Sequence, residues 1–183
     1  MPKKNNQDNG NFEMIAKTYH GLEDVLAKEL LQLGAQDIKT LRRAVKFKGD
    51  LGFMYKANLS LRTAVRIIKP IKNFKVRNED QLYRELRNID WEYYMSIDDK
   101  FAVDSFVNSP HFKHSLYVAL KTKDAIVDQF REKCGMRPDV DLDHPNLRIN
   151  VHITDETCTL SLDSSGKSLH KRGYRLETNE API

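Results

Sequence analysis

Ser115–Cys134 reads SLYVALKTKDAIVDQFREKC, and after a short loop Leu147–Asp163 reads LRINVHITDETCTLSLD. The first stretch has a helical period. Leu116, Ala119, Leu120, Ile126, Val127 and Phe130 fall at helical intervals and predict one inward stripe. Gly135 supplies the stop, and Pro138 cannot continue a helix. The second stretch has a period of two. Leu147, Ile149, Val151 and Ile153 face one way and Arg148, Asn150 and His152 the other; Asp155-Glu156 then turns into a partner strand with Cys158, Leu160 and Leu162 inward. A long helix beside an alternating hairpin predicts a sheet with a helix packed on it.

Working outward, Phe101–Val107 predicts a strand, set off from the long helix by Asn108-Ser109-Pro110. Asn78 and Gln81 have capping-box spacing ahead of a helix with Leu82, Leu86 and Ile89 inward, and Trp91, Tyr93 and Tyr94 follow as packing aromatics. An earlier unit opens with a strand over Phe12–Tyr19. A helix over Gly21–Leu33 follows, with Leu22, Val25, Leu26, Leu30 and Leu33 inward and Gly34 as its stop. Ile38–Lys48 predicts one extended stretch. Asp50 caps a helix running to about Arg62, with Phe53, Met54, Ala57 and Leu61 inward. Ala64–Ile71 predicts a strand that Pro70 closes. Strands and helices interleave in two units, 12–75 and 76–163. The expected class is α+β with α/β layering, its sheets covered by helices on at least one face. Residues 1–11 are polar and predict a disordered tail. Residues 164–183 predict a basic linker, with Glu180-Ala181-Pro182-Ile183 as the start of a further domain.

The chain has 183 residues, 40% of them hydrophobic, and a formal charge of +4. That is enough to bury a core in each unit, and the charge permits a polyanionic partner without demanding one. Cys134 and Cys158 form no CxxC pair, which removes zinc-ribbon and redox motifs and predicts two reduced thiols. No stretch reaches the ~20 apolar residues of a membrane span, and no signal peptide opens the chain, so the expectation is a cytoplasmic protein with no membrane partner.

Motifs for chemistry are missing. There is no GxGxxG, no P-loop lysine, no glycine-rich strand–turn–helix for S-adenosylmethionine and no NPPY-type motif. His111 and His114 lack a third ligand, and Asp139, Asp141 and Asp143 lack the glycine and distal glutamate of a calcium loop, so no metal is expected. No residue is assigned a catalytic role. A domain of this size without an active site is more often a binding module than an enzyme.

The positive charge is concentrated in two places. Lys113, Lys121, Lys123, Arg131, Lys133 and Arg137 run along the long helix and its exit, followed by Arg148 on the next strand. Lys123 lies on the apolar stripe, where its stem can pack while its ammonium reaches an edge. The second concentration is Lys167, His170, Lys171, Arg172 and Arg175 with Tyr174 among them, cations with a ring that could stack a base. Arg42, Arg43, Lys46 and Lys48 form a third, weaker cluster.

Seven segments stand out together: Tyr19-His20-Gly21-Leu22-Glu23, Val45-Lys46-Phe47-Lys48-Gly49-Asp50, Leu120-Lys121-Thr122-Lys123-Asp124-Ala125-Ile126-Val127-Asp128, Arg137-Pro138-Asp139-Val140-Asp141, Leu147-Arg148-Ile149-Asn150-Val151, Leu162-Asp163-Ser164-Ser165-Gly166 and Leu169-His170-Lys171-Arg172-Gly173-Tyr174-Arg175. In order and spacing they resemble the N-terminal region of bacterial THUMP-domain 23S rRNA guanine-N2 methyltransferases. The resemblance implies a ferredoxin-like unit followed by a THUMP domain, whose family definition reaches back to about Phe53. It implies RNA, 23S rRNA in particular, as partner. It also implies a following Rossmann-like methyltransferase domain that holds S-adenosylmethionine, leaving this stretch without cofactor, metal or catalysis of its own. The RNA-contact candidates are Lys121, Lys123, Arg131, Arg137, Arg148, Lys167, His170, Lys171, Arg172, Tyr174 and Arg175. A stand-alone THUMP adaptor and the THUMP region of a tRNA-modifying enzyme fit the same motifs.

Overall fold

The computed structural model describes residues 10–166 and 168–172. They form two compact units, Gly10–Ile67 with the segment from Ser165, and Ile68–Ser164.

The first unit runs β1 (Phe12–Lys17), α1 (Glu23–Leu33), β2 (Gln36–Leu41), β3 (Ala44–Gly49) and α2 (Leu51–Ser60). β3 lies between β2 and β1 and pairs antiparallel with both, Met14 standing opposite Phe47. Met14, Ala16, Leu26, Leu30, Val45, Phe47, Ala57, Leu61 and Ile67 form its core, with Phe53 and Met54 packed against it. The single extended stretch expected over Ile38–Lys48 is in fact a hairpin. Arg43 takes positive φ (58°) in its turn, a conformation that sequence pattern does not announce for arginine. Asp50 caps α2 as expected, its carboxylate accepting from the Phe53 amide at 2.6 Å. Leu22 and Val25, expected inward, are exposed, because α1 buries only its Leu26–Leu30 line completely.

The second unit contains β4 (Arg66–Lys75, from Ile68 onward), α3 (Glu79–Arg87), β5 (Phe101–Asn108), α4 (Ser115–Cys134), β6 (Leu147–Thr154) and β7 (Thr157–Asp163). Its strand order is β4-β7-β6-β5. β4–β7 and β7–β6 are antiparallel, and β6–β5 is parallel, with α4 in the crossover. Pro70 does not close β4. The strand continues to Lys75 past a register shift between Pro70 and Lys72, which accommodates a residue with no N–H to donate. The core gathers Leu82 and Leu86 of α3, Trp91, Val118, Ala125, Ile126 and Phe130 of α4, and the inward residues of β6 and β7. Each large apolar side chain buried this way contributes roughly 1.5–3 kcal/mol.

The apolar stripe of α4 differs from expectation in its first half. Val118, Thr122, Ala125, Ile126, Gln129 and Phe130 face the core, while Leu116 and Leu120 stand 72% and 46% exposed. The C-terminal half fixes the rotation of the helix, and Thr122 and Gln129 satisfy that face despite their polarity. The Thr122 hydroxyl donates to the Val118 carbonyl at 2.8 Å. Among the described residues, no helix is long and apolar enough to cross a membrane.

Candidate nucleic-acid interface

Away from the core, α4 carries Lys121, Asp124, Asp128 and Arg131, with the half-buried Lys123 on the flank of the buried face. With Tyr83, Val127 and Arg137 these line an open cavity of about 350 Å³. The helix supplies the spacing: positions 121, 124, 128 and 131 lie three or four apart, on adjacent turns of one face. Gly135, left-handed at φ 72°, ends α4, and Arg137 follows two residues later. The chain after it is tied to β5, where the Phe101 amide donates to the Asp139 carbonyl at 3.0 Å.

Four cations and two carboxylates therefore share this groove. Lys123 pairs with Asp124 at 3.2 Å, and Arg131 with Asp128 at 3.5 Å. Neither Lys121 nor Arg137 has a carboxylate partner among the described residues. Exposed pairs of this kind are worth only about 0–1 kcal/mol, so an arriving phosphate can take over Lys123 or Arg131 at little cost.

The wall opposite α4 comes from α3, and the sequence pattern missed it. Tyr83 lies beside the inward Leu82, its hydroxyl donating to Asp128 Oδ2 at 2.7 Å, with Lys121 Nζ 5.2 Å from its ring centroid. Burial first, and then Asp128, push the Tyr83 hydroxyl pKa upward. Arg87, one turn on, donates to the Tyr83 hydroxyl at 3.3 Å and binds Glu132, which raises the already high pKa of its guanidinium. Lys133 bridges Asp90 at 2.8 Å and Glu92 at 3.1 Å. Arg87 and Lys133 thus hold α3 and the turn after it to α4, and neither of them lines the groove. The signal that could have revealed this was the i,i+4 pair of Tyr83 and Arg87 next to the apolar line of α3.

The remaining candidates lie elsewhere. Arg148 projects from β6, 14% exposed, and donates to both oxygens of Asp104 at 3.2 Å and to the Leu142 carbonyl at 2.6 Å. His170 and Lys171 are exposed, His170 Nδ1 lying 2.8 Å from the Ser168 hydroxyl. Arg172 is turned onto the end of α2. Lys167, Tyr174 and Arg175 lie outside the described residues, as do residues 1–9 of the expected tail and the end of the expected linker. In the third basic cluster, Lys46 pairs with Glu13 at 2.6 Å and Lys48 with Asp37 at 2.8 Å. Asp141 serves its own loop, accepting from the amides of Asp143 and His144 at 3.0 and 2.9 Å.

The family model described as the THUMP domain matches residues 76–163, and that of the RlmL ferredoxin-like domain matches residues 13–68. The chain carries both domains. The groove and both its walls fall within the THUMP domain. The chain is 42% identical over 172 residues to a ribosomal RNA large subunit methyltransferase K/L of Syntrophotalea carbinolica, covering 94% of this chain and 24% of that protein. It is 40% identical over 169 residues to a putative RNA methyltransferase of Synechocystis, covering 92% of this chain and 44% of that one. Among solved structures, a predicted N6-adenine-specific DNA methylase from Listeria monocytogenes superposes with a TM-score of 0.78 at 32% identity, over 95% of this chain and 46% of that one. The chain thus spans less than half the length of these relatives.

Proposed function

We propose that this chain holds structured RNA on the cationic face of α4 and presents it to a methyltransferase domain. The proposed substrate is 23S rRNA, and the proposed reaction is S-adenosylmethionine-dependent methylation of a guanine exocyclic nitrogen. The observation that carries the reading is the convergence of Lys121, Lys123, Arg131 and Arg137 on one groove, with Lys121 and Arg137 uncompensated. The THUMP and ferredoxin-like domains, and relatives bearing methyltransferase names, support it.

The task of the groove is positioning. Its cations take phosphates, which fix where the RNA lies without reading its sequence. Binding energy gathered away from the reacting base orients that base, and methylation of a paired guanine further requires it to leave the stack. The same lining repels the positively charged sulfonium of S-adenosylmethionine, so the groove does not suit the cofactor. Arg148 and Arg172, whose terminal guanidinium nitrogens are taken up by protein oxygens, are left out of the proposed contacts.

Fluorescence anisotropy with a labelled rRNA helix–loop tests the reading. Affinity is expected to fall linearly on a log–log salt plot, with a slope of about 0.7–0.9 per phosphate engaged. Absence of binding at about 50 mM salt, where such contacts are strong, refutes it. Competition with tRNA decides the substrate class: tRNA displacing the rRNA probe at equal or lower concentration assigns the groove to a tRNA-modifying enzyme instead.

A further inference from the structure

The basic segment after β7 does not stay with the domain it leaves. The described residues after Ser164, 165–166 and 168–172, group with the ferredoxin-like unit. The Ile67 amide donates to the Ser165 hydroxyl at 2.8 Å, which donates in turn to Asn58 Oδ1 at 2.8 Å. The Leu169 amide donates to the Val65 carbonyl at 2.9 Å, and the Leu169 side chain, 3% exposed, enters the core formed by Met14, Phe47 and Leu61. Arg172 completes the set. One terminal guanidinium nitrogen donates to the carbonyls of Asn58 and Leu59, the latter at 2.8 Å. The other terminal nitrogen donates to the Leu61 carbonyl, and Nε to that of Leu169 at 2.8 Å.

Helix physics explains the position of the arginine. The last carbonyls of a helix have no intrahelical donor and carry the negative end of the dipole. α2 ends with no basic residue in its last turn. Arg172 supplies that charge from 111 residues along the chain from Leu61, using all three of its nitrogens.

We propose that Ser165 and the Ser168–Arg172 segment form a clamp that completes the ferredoxin-like domain. Arg172 in this role is an intramolecular helix cap and not an RNA contact. The clamp stands independently of whether the α4 groove binds RNA. Its surface is the C-terminal end of α2 together with the core opening that Leu169 fills.

Hydrogen exchange on the full 183-residue chain, with parallel RNA anisotropy, tests this. Arg172→Ala is expected to speed exchange at the Leu169 amide and in the last turn of α2 at least tenfold, and to leave β6 and β7 unchanged. Arg172→Lys should give an intermediate effect, because one ammonium cannot span these carbonyls. Leu169→Ala should speed exchange at the same sites by emptying the core position. RNA affinity should stay within twofold of wild type for both Arg172 variants. Unchanged exchange in Arg172→Ala overturns the clamp, and unchanged exchange with a fivefold loss of RNA affinity returns Arg172 to the RNA surface. Lys121→Glu should show the opposite pattern, lost affinity with unchanged exchange at residues 165–172, so the two proposals fail separately.

Discussion

Lys121 on α4 stands 5.2 Å from the ring centroid of Tyr83 on α3. The Tyr83 hydroxyl in turn donates to Asp128, one carboxylate of the same groove. One aromatic therefore does two things: it steadies a cation by its face and occupies a competing acid by its edge.

Tyr83→Phe separates these roles. The ring and its contact with Lys121 remain, while Asp128 loses a donor and is left to Arg131, already 3.5 Å away. RNA affinity should fall about two- to threefold as Arg131 becomes better neutralised. Stability should fall by about 1–2 kcal/mol, because the variant loses both the bond to Asp128 and the bond accepted from Arg87. Thermal melting and anisotropy on the same sample check both. Unchanged affinity with lowered stability would make Tyr83 a packing residue only.

Lys121→Glu and Arg137→Glu should each weaken RNA binding by about tenfold or more and lower the magnitude of the salt slope by roughly one, as for a lost phosphate contact. Arg148→Lys should behave differently. Arg148 is anchored to Asp104 and Leu142, so its replacement should lower the melting temperature and leave the salt slope unchanged. A reversed ranking, with Arg148 dominating the salt dependence, would move the interface to the sheet.

Elements with strong local signals were legible in the sequence. α4 matches its expected bounds residue for residue, β6 keeps its expected alternation, and the Asp50 and Asn78 side chains cap their helices, because periodicity and capping are written in neighbouring residues. The β2–β3 hairpin was not legible: its turn relies on Arg43 at positive φ, held by Glu23 from α1. The groove was half legible. Charge at helical spacing identified Lys121, Lys123 and Arg131, but Tyr83 comes from a different helix. The fate of Arg172 was invisible, since composition does not distinguish a cation facing solvent from one facing carbonyls more than a hundred residues away in sequence.

The Glu23 carboxylate accepts from the Gly21 amide at 2.7 Å and the Arg43 amide at 2.9 Å. The amides of Glu23 itself, Arg43 and Gly21 hold its pKa below the ordinary 4.5. A depressed folded-state pKa means that the unfolded chain binds its proton first. The stabilisation is therefore complete above the ordinary value and is lost as pH falls through the folded one. Urea midpoints should decline on acidification below about pH 4.5. Glu23→Gln should flatten that decline and loosen the β2–β3 turn, visible as faster exchange at the Arg43 amide. An acid limb identical to wild type would assign the pH dependence to other depressed carboxylates, Asp37, Asp141 and Glu156.

Gln129 offers the sharpest stability test, because it is a polar side chain at a core position of α4, 7% exposed. Its amide nitrogen donates to the carbonyls of Arg87 and Ile89 at 2.6 Å each, and its oxygen accepts from the Trp91 amide at 3.2 Å. One side chain thus satisfies the end of α3 and the turn leading to buried Trp91. Gln129→Leu conserves approximate volume and gains apolar character, so a purely hydrophobic view of the core predicts a neutral or stabilising change. The hydrogen-bond view predicts the reverse. Three backbone groups would lose their partner, and leaving a buried polar group unmet costs about 1–3 kcal/mol. A net loss of roughly 2–4 kcal/mol in urea denaturation is expected. Gln129→Glu should fall between wild type and Leu at low pH, where a protonated carboxyl keeps the acceptor and one donor, and should be worse than Leu at neutral pH, where the buried charge faces two carbonyls. A stabilised Leu variant would show that the three backbone groups find water without Gln129.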